Sequence, residues 1–530
     1  MPLSLAMVLR RGASFGTHAR LVGVDPAGRV TRTWPELAAR ARRLAAALRS
    51  LGVAPGERVG TFSWNRLAHL ELMYGVPLSG AVLQPLNVRL FGEQIAWIAR
   101  HAEDRVVFVD AALTHRLAEI RPLLPGVDYV VLPDGTPPHP GFADAADYEE
   151  LLAAAPDEEP AEPDEWSAAC LCYTSGTTGN PKGVVYTHRS LTLHAMSALF
   201  ADSFAVRERD VLLPLTPLFH ATAWGLPYAA ALAGASLVLA GQDTSPTAVV
   251  DLVRTEGVTM AAGVPTFWLA VDQLAGADLG GLERILCGGS AIPADLVARY
   301  HRRGVLMQQG WGMTEMSPSG NITNVRARLA GLPEEQRLAL HATQGLTTAG
   351  VELRVVGEDG TPQPHDGRSA GEVEVRGPWV TESYYRPDDD SNDTRFHDGW
   401  LRTGDVGTVD TDGYLRVLDR TKDLIKSGGE WISSIELENH LMDHPSVERA
   451  AVIAVAHPEW VERPAALVVT TGDVTAEELR DHLRARVARW WVPELVEFVD
   501  ELPLTATGKF DKRRIRQTWQ GAFTAPRRNS

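Results

Sequence analysis

The sequence predicts an α/β protein: a large N-terminal domain of two mostly parallel α/β sheet subdomains plus a β-rich subdomain, then a small α+β C-terminal domain. Three observations predict it. Up to about residue 345, short apolar runs alternate with amphipathic stretches, the rhythm of βαβ units and parallel sheets. From about Gly345 to Asp419 the texture becomes short strands with Asp/Gly turns, EDG at 358–360 and TDG at 411–413. After Asp419 a mixed strand and helix pattern returns. A chain of 530 residues exceeds one core. The expected division is 1–419, with the β-rich part at about 345–419, and 420–530, with a boundary near Asp419–Lys422 and no internal repeats.

The elements follow in order. Residues 35–50, PELAARARRLAAALRS, place apolar side chains at helical spacing, and Gly52 ends the pattern. Arg58–Ser63 reads as a strand, Arg66–Ser79 as helix, Ala81–Pro85 as extended, Glu93–His101 as helix and Arg105–Val109 as an apolar strand. Residues 133–141 are Pro-rich loop and 156–166 an acidic connector. Ala168–Cys172 is an apolar strand in which Cys170 and Cys172 are buried. Leu191–Phe200 reads as helix; Val211–Pro214, Val258–Ala262 and Leu282–Cys287 read as strands. The β-rich strands are Val351–Val356, Gly371–Gly377, Gly404–Val409 and Tyr414–Leu418. Beyond Asp419 come a helix at Ser434–Leu441, strands at Arg449–Ala456 and Ala465–Val469, and a helix at Ala476–Trp490.

Composition excludes several classes. The net charge of −16 argues against a nucleic-acid binder. Three cysteines build neither a disulfide framework nor a zinc site. The N-terminus, MPLSLAMVLRRG, is apolar first and basic second, the reverse of a secretory signal. The longest apolar stretch, Tyr228–Ala240, is too short to span a bilayer. A cytoplasmic protein without a membrane span is expected.

The chemistry sits in five segments. YTSGTTGNPKG, Tyr173–Gly183, combines glycines, hydroxyls and one lysine: Thr174, Ser175, Gly176, Thr177, Thr178, Gly179 and Lys182. Glycines bring backbone N–H groups close to a ligand, so the segment reads as a phosphate cradle. It is not a Walker A loop, because Lys182 follows Asn180-Pro181. A surface turn uses the same residue types. QGWGMTEMSP places Thr314 and Glu315 after a Gly-aromatic-Gly turn, and a carboxylate beside a triphosphate suits Mg²⁺. GWLRTGDVG places Asp405 on a turn, where a carboxylate can accept from two ribose hydroxyls. DRTKDLIKSGGEWIS gathers Arg420, Lys422 and Lys426 before two glycines. LPLTATGKFDKRR places Lys509 in a short loop. Each alone also suits a solvated turn or surface charge.

Together, in this order and from about residue 15 to 516, these segments resemble the adenylate-forming superfamily of acyl-CoA synthetases, peptide-synthetase adenylation domains and firefly luciferase. HAEDRVVFVD (101–110), TPLFHATAWGLPY (216–228), AGVPTFW (262–268) and KSGGEWISSIELEN (426–439) look closest to bacterial fatty-acyl-CoA synthetases. The resemblance implies an enzyme using ATP and Mg²⁺ to turn a small carboxylic acid into an acyl-adenylate. It implies that the 174–183 loop holds the β- and γ-phosphates, and Thr174 and Glu315 the metal. Asp405 and Arg420 would hold the ribose. Gly288, Gly289, Gln309, Gly310 and Trp311 would form the adenine slot, with Thr314 and Lys422 also on the nucleotide. Lys509 would bridge carboxylate and α-phosphate, with His220 beside the carboxylate and Lys426 a further catalytic group. Trp224 would gate an acyl channel shared with Gly312. A small domain hinged at Asp419 would swing Gly428, Gly429, Glu430 and Trp431 in to line the acceptor path. Coenzyme A is the leading acceptor. An amine or amino acid, as in coronafacate-type amide ligases, is the other. A monomer or homodimer is expected, and Trp224, Trp268 and Trp311 suggest a shortened acyl tunnel.

Overall fold

Two parallel-rich sheets stand where the alternating patterns predict them. The computed structural model describes residues 2–174, 180–427, 430–504 and 510–523. One seven-stranded sheet runs Ala146–Asp147, Asp128–Leu132, Asp104–Asp110, Arg58–Phe62, Val82–Pro85, Ala168–Tyr173, Gly183–Thr187. Its pairings are parallel except the last, where Tyr173 faces Gly183 across an antiparallel ladder. The phosphate-loop segment is therefore the connection of a β-hairpin. Cys170 and Cys172 are buried on one face, as alternation predicts, with their sulfurs 3.7 Å apart.

The second sheet has nine strands: Leu346–Thr347, Ser319–Ile322, Leu306–Gly312, Arg284–Gly288, Met260–Gly263, Val211–Pro214, Ser236–Leu239, Leu21–Asp25 and Gly28–Arg32. Its central pairings are parallel, and antiparallel strands close both edges. The N-terminal hairpin Leu21–Arg32 has no counterpart in the expectations, which begin at residue 35. Its turn is Asp25-Pro26-Ala27-Gly28, with Gly28 at φ 129°.

Helix Trp34–Ser50 packs against helix Leu67–Leu78. Thr33 accepts from the Glu36 N–H and Glu36 from the Thr33 N–H, a capping box that fixes its start. Leu37, Ala41, Leu44 and Leu48 form its buried stripe, joined to Leu5, Leu9, Tyr74 and Tyr228 in the largest core.

The β-rich part is an antiparallel sheet of Glu352–Val356, Gly371–Arg376, Trp400–Val409, Phe396–His397 and Leu415–Arg420. After Arg420 the chain enters a separate sheet of Glu430–Ile432, Ile425–Ser427, Val461–Thr470, Val447–His457 and Leu495–Phe498, with its own cores. Asp419 is buried: Ser434 donates to its carboxylate through its N–H at 2.6 Å and through its hydroxyl at 2.5 Å, while its backbone still pairs with Val406.

Several boundaries differ from expectation. The helix expected at Leu191–Phe200 runs His188–Ser197, because Thr187 caps it with Ser190. The helix expected to reach Trp490 stops at Arg484. There the N–H groups of Arg486 and Val487 both turn back to the Leu483 carbonyl, letting Val487 and Trp491 pack on the C-terminal core. Gly310-Trp311-Gly312 is not a turn but the end of strand Leu306–Gly312. Asp405 is not on a turn either. It lies inside strand Trp400–Val409, where Gly404 at φ 72° makes a bulge against Glu372–Glu374. A bulge and a turn share the same Gly-Asp signature.

Candidate active site

The site is built where strand ends of both large sheets meet the β-rich sheet. At the exit of strand Ala168–Tyr173, the Thr174 N–H donates to the Lys182 carbonyl at 2.9 Å and its hydroxyl accepts from the Lys182 N–H at 3.1 Å. These bonds close the phosphate loop. Ser175, Gly176, Thr177, Thr178 and Gly179 lie outside the described residues, as do Gly428, Gly429 and Lys509 and the side chain of Glu430. The Lys182 ammonium sits 2.9 Å from Asp389 and 5.2 Å above the Tyr384 ring.

Glu315 occupies a short turn, Thr314–Met316, and is buried. The Tyr384 hydroxyl donates to its Oε1 at 2.5 Å, and the Thr381 N–H to its carbonyl at 2.8 Å. Burial first, and the Glu315 charge with it, push the Tyr384 phenol far above its ordinary pKa, so it stays a donor. The Tyr186 hydroxyl binds the Thr314 carbonyl at 2.6 Å, tying the strand after the phosphate loop to the Glu315 turn.

Asp405 is buried and doubly engaged. It pairs with Arg420 Nε at 2.6 Å and accepts from Trp311 Nε1 at 2.9 Å. The carboxylate charges of Asp405, and secondly of Glu315, oppose burial and raise the Arg420 pKa. Trp311 is thus pinned edge-on, with its ring against Gly320, where an added Cβ would stand 3.0 Å from it.

The residues expected to face adenine lie at strand ends. Gly288 ends its strand so tightly that a Cβ would meet the Gly310 carbonyl at 2.9 Å and the Trp224 ring at 3.2 Å. Gln309 braces the neighbouring loop: its Oε1 accepts from the Ile292 N–H at 3.0 Å and its Nε2 donates to the Ser290 carbonyl. Gly312 is obligatory, since a Cβ would collide with the Pro318 carbonyl. His220 lines a small cleft with Thr174, Tyr173, Phe219 and Ile98.

Other expected residues stand differently. Lys426 is exposed, 3.7 Å from Glu358 of the β-rich sheet and 5.9 Å from the Trp431 ring centre. Lys422 is exposed, and its carbonyl accepts from Arg516. Trp268 is wholly buried beside Tyr300, among Val271 and Leu296, so it belongs to a core rather than to a tunnel. With Trp311 held by Asp405, the tunnel argument rests on Trp224.

Two features escaped the sequence. The run Ala221, Thr222, Ala223, Trp224, Gly225 is left-handed throughout, with φ of 40°, 45°, 52°, 58° and 71°. Left-handed helical geometry costs about 1–2 kcal/mol per non-glycine residue, so four such residues imply roughly 4–8 kcal/mol of strain. Packing enforces it: Thr222 Oγ1 lies 3.3 Å from Cys172 Sγ, and buried His194 closes on Gly225, leaving no room for a Cβ. His194 is kept neutral, its pKa pushed down to about 3 by burial. Only Gly225 could have signalled this. The second feature is the loop from Thr381 to Ser391, which supplies Tyr384, Asp388 and Asp389. Its ESYYRPDDDS sequence reads as an acidic turn and names no partner.

No helix among the described residues is long and apolar enough to cross a membrane, and no cluster of three or more His, Cys, Asp or Glu forms a metal cage. The model for AMP-binding enzymes matches residues 10–385, and that for the AMP-binding enzyme C-terminal domain matches 436–509. The chain is 45% identical over 527 residues to a long-chain-fatty-acid–CoA ligase of Thermus thermophilus, covering 98% of this chain and 96% of the relative. It is 44% identical over 536 residues to a 3-methylmercaptopropionyl-CoA ligase of Ruegeria lacuscaerulensis, covering 99% and 98%. The crystal structure of the anthranilate CoA ligase AuaEII in complex with anthranoyl-AMP superposes with a TM-score of 0.87 at 26% identity over 99% of each chain.

Proposed function

The chain belongs to the AMP-binding enzyme family, and from that membership we propose a mechanism and residue roles for it. It is an ATP-dependent acyl-CoA ligase: the acid carboxylate attacks the α-phosphorus of ATP, pyrophosphate leaves, and the CoA thiolate then attacks the acyl carbon and expels AMP. An amine acceptor is not favoured, because relatives 45% and 44% identical over nearly the whole chain are CoA ligases.

In the proposed mechanism the protein acts by positioning and by charge. Lys182 and the phosphate-loop N–H groups take the β- and γ-phosphates. Asp405 accepts from the ribose hydroxyls, with Arg420 holding its carboxylate. Gly288, Gly289, Gly310 and Trp311 enclose the base, and Gln309 keeps that wall in place. Glu315 and Thr174 offer a carboxylate and a hydroxyl, hard oxygen donors that fit Mg²⁺ with few protein ligands. The metal, when bound, neutralises phosphate charge. His220 stands beside the acid, Lys509 approaches the α-phosphate, and rotation about Asp419 exchanges Lys509 for the 428–431 segment before thioester formation. Trp224 against Gly288 limits the acyl path and favours medium, branched or cyclic acids. A cytoplasmic location completes the reading.

The observation that carries it is convergence on Tyr384: Lys182 over its ring, Glu315 on its hydroxyl. The test incubates the protein with ATP, magnesium and acids of graded length, then offers CoA or amino acids separately and identifies products by mass. Thioester without amide is expected. Amide formed in the absence of CoA overturns the acceptor, and a sixteen-carbon acid turned over as well as any shorter one overturns the chain-length proposal.

A further inference from the structure

We propose that Asp389 is a resident counter-anion for Lys182, one that the triphosphate of ATP displaces and that takes the lysine back as pyrophosphate leaves. This rests on the ATP-dependent reading above. Asp389 reaches Lys182 across a sequence separation of 207, with its carboxylate oxygens 2.9 and 3.2 Å from the ammonium. That is the kind of contact a phosphate oxygen makes. The preceding residue repeats the arrangement: Asp388 accepts from the Asn180 side chain at 2.7 Å. Both side chains of the phosphate loop's exit are thereby held by acids from one distant loop.

The loop presenting these acids is fastened to the site. The Tyr385 N–H donates to the Gly183 carbonyl at 2.8 Å, one residue beyond Lys182. Tyr384 and Thr381 bind Glu315. On its outer side the Arg386 carbonyl meets His101, whose other ring nitrogen meets the Tyr173 hydroxyl at 2.7 Å. The Ser391 N–H at 3.0 Å orients the Asp389 carboxylate. The Ser391 side chain first, and then Lys182, lower that carboxyl's pKa to about 2, so it is an anion wherever the enzyme works.

The pair is exposed enough to exchange. The Lys182 side chain is 22% accessible and that of Asp389 46%. Exposed ion pairs contribute little, corresponding to at most about fivefold in an equilibrium. Such a contact orients the lysine in the free enzyme without locking it. It also opposes the triphosphate, since carboxylate and phosphates compete for one ammonium.

The experiment measures equilibrium binding of α,β-methylene-ATP, whose α–β methylene link cannot break to release pyrophosphate, to the full chain. It compares wild type, D389N, K182A and the double variant, with AMP as a ligand lacking the β- and γ-phosphates. D389N is expected to tighten analogue binding by about twofold to fivefold, leave AMP unchanged, and have no effect in the K182A background. Unchanged or weaker analogue binding by D389N overturns the proposal. So does equal tightening with Lys182 absent, which would mean long-range repulsion alone. If wild type binds no analogue, the ATP-dependent reading falls and takes this one with it. If wild type binds and D389N matches it, only this proposal falls. D389S provides the same comparison should the asparagine variant fail to fold.

Discussion

Replacing Asp405 by asparagine separates ribose recognition from general stability. The carboxylate accepts from Arg420 Nε at 2.6 Å and Trp311 Nε1 at 2.9 Å. A carboxylate has about four lone-pair sites, so two remain for the ribose hydroxyls. Asparagine keeps one oxygen and turns an NH₂ toward one of the two donors. The Arg420 side chain is 43% accessible, so water can take the place of its lost partner. The larger loss is a hydroxyl bond to a charged acceptor, about 1.5–3 kcal/mol, or roughly tenfold to 150-fold in ATP affinity. The assay is ATP–pyrophosphate exchange with saturating acid, run with ATP and with 2′,3′-dideoxy-ATP. D405N is expected to raise KM for ATP by that factor and to lose most of the discrimination against the dideoxy nucleotide. A wild-type KM for ATP refutes the assignment. An equal loss with both nucleotides also refutes it, because the damage would then not involve the ribose.

Two further outcomes follow from the same geometry. Y384F deletes the 2.5 Å hydroxyl bond to Glu315; magnesium titration of pyrophosphate exchange should show a raised metal requirement and kcat/KM lowered about tenfold or more, whereas an unchanged magnesium dependence removes Tyr384 from the site. In the C-terminal domain, burial lifts the Glu438 carboxyl to about 7, against the opposing pull of Lys512 at 2.7 Å. Its folded pKa lies above the ordinary 4.5, so the folded state binds the extra proton between those values. Its contribution to stability is therefore complete below about 4.5 and lost as pH rises through about 7. Denaturant unfolding across that window should show the decline in wild type and a flatter profile in E438Q; identical slopes would contradict the raised pKa.

Local patterns carried much of the fold. Short apolar runs marked strands Asp104–Asp110 and Ala168–Tyr173, and spacing marked helix Trp34–Ser50, because burial is written in the order of apolar side chains. The errors came where one local signature serves two structures. Gly404-Asp405 suits a turn and a bulge alike, and the stretch after Arg484 keeps a helical composition while its N–H groups turn back. The left-handed run from Ala221 to Gly225 left no trace except Gly225, because Ala, Thr and Trp do not favour positive φ. Only the surrounding contacts impose it.

By itself the sequence determined the family, the order of the five chemical segments and the residue types proposed to meet phosphate, ribose and metal. Those are properties of short stretches, in which spacing and side-chain chemistry are fixed by covalent connection. Only the tertiary structure decided which of these groups share partners. Glu315 meets Tyr384 across 69 residues, Lys182 meets Asp389 across 207, and Trp311 meets Asp405 across 94. The same packing moved Trp268 into a core and set Lys426 on Glu358. Such contacts depend on how whole sheets stack, and burial then makes each unpaired polar group costly enough to require a partner. No local pattern encodes which distant loop supplies it.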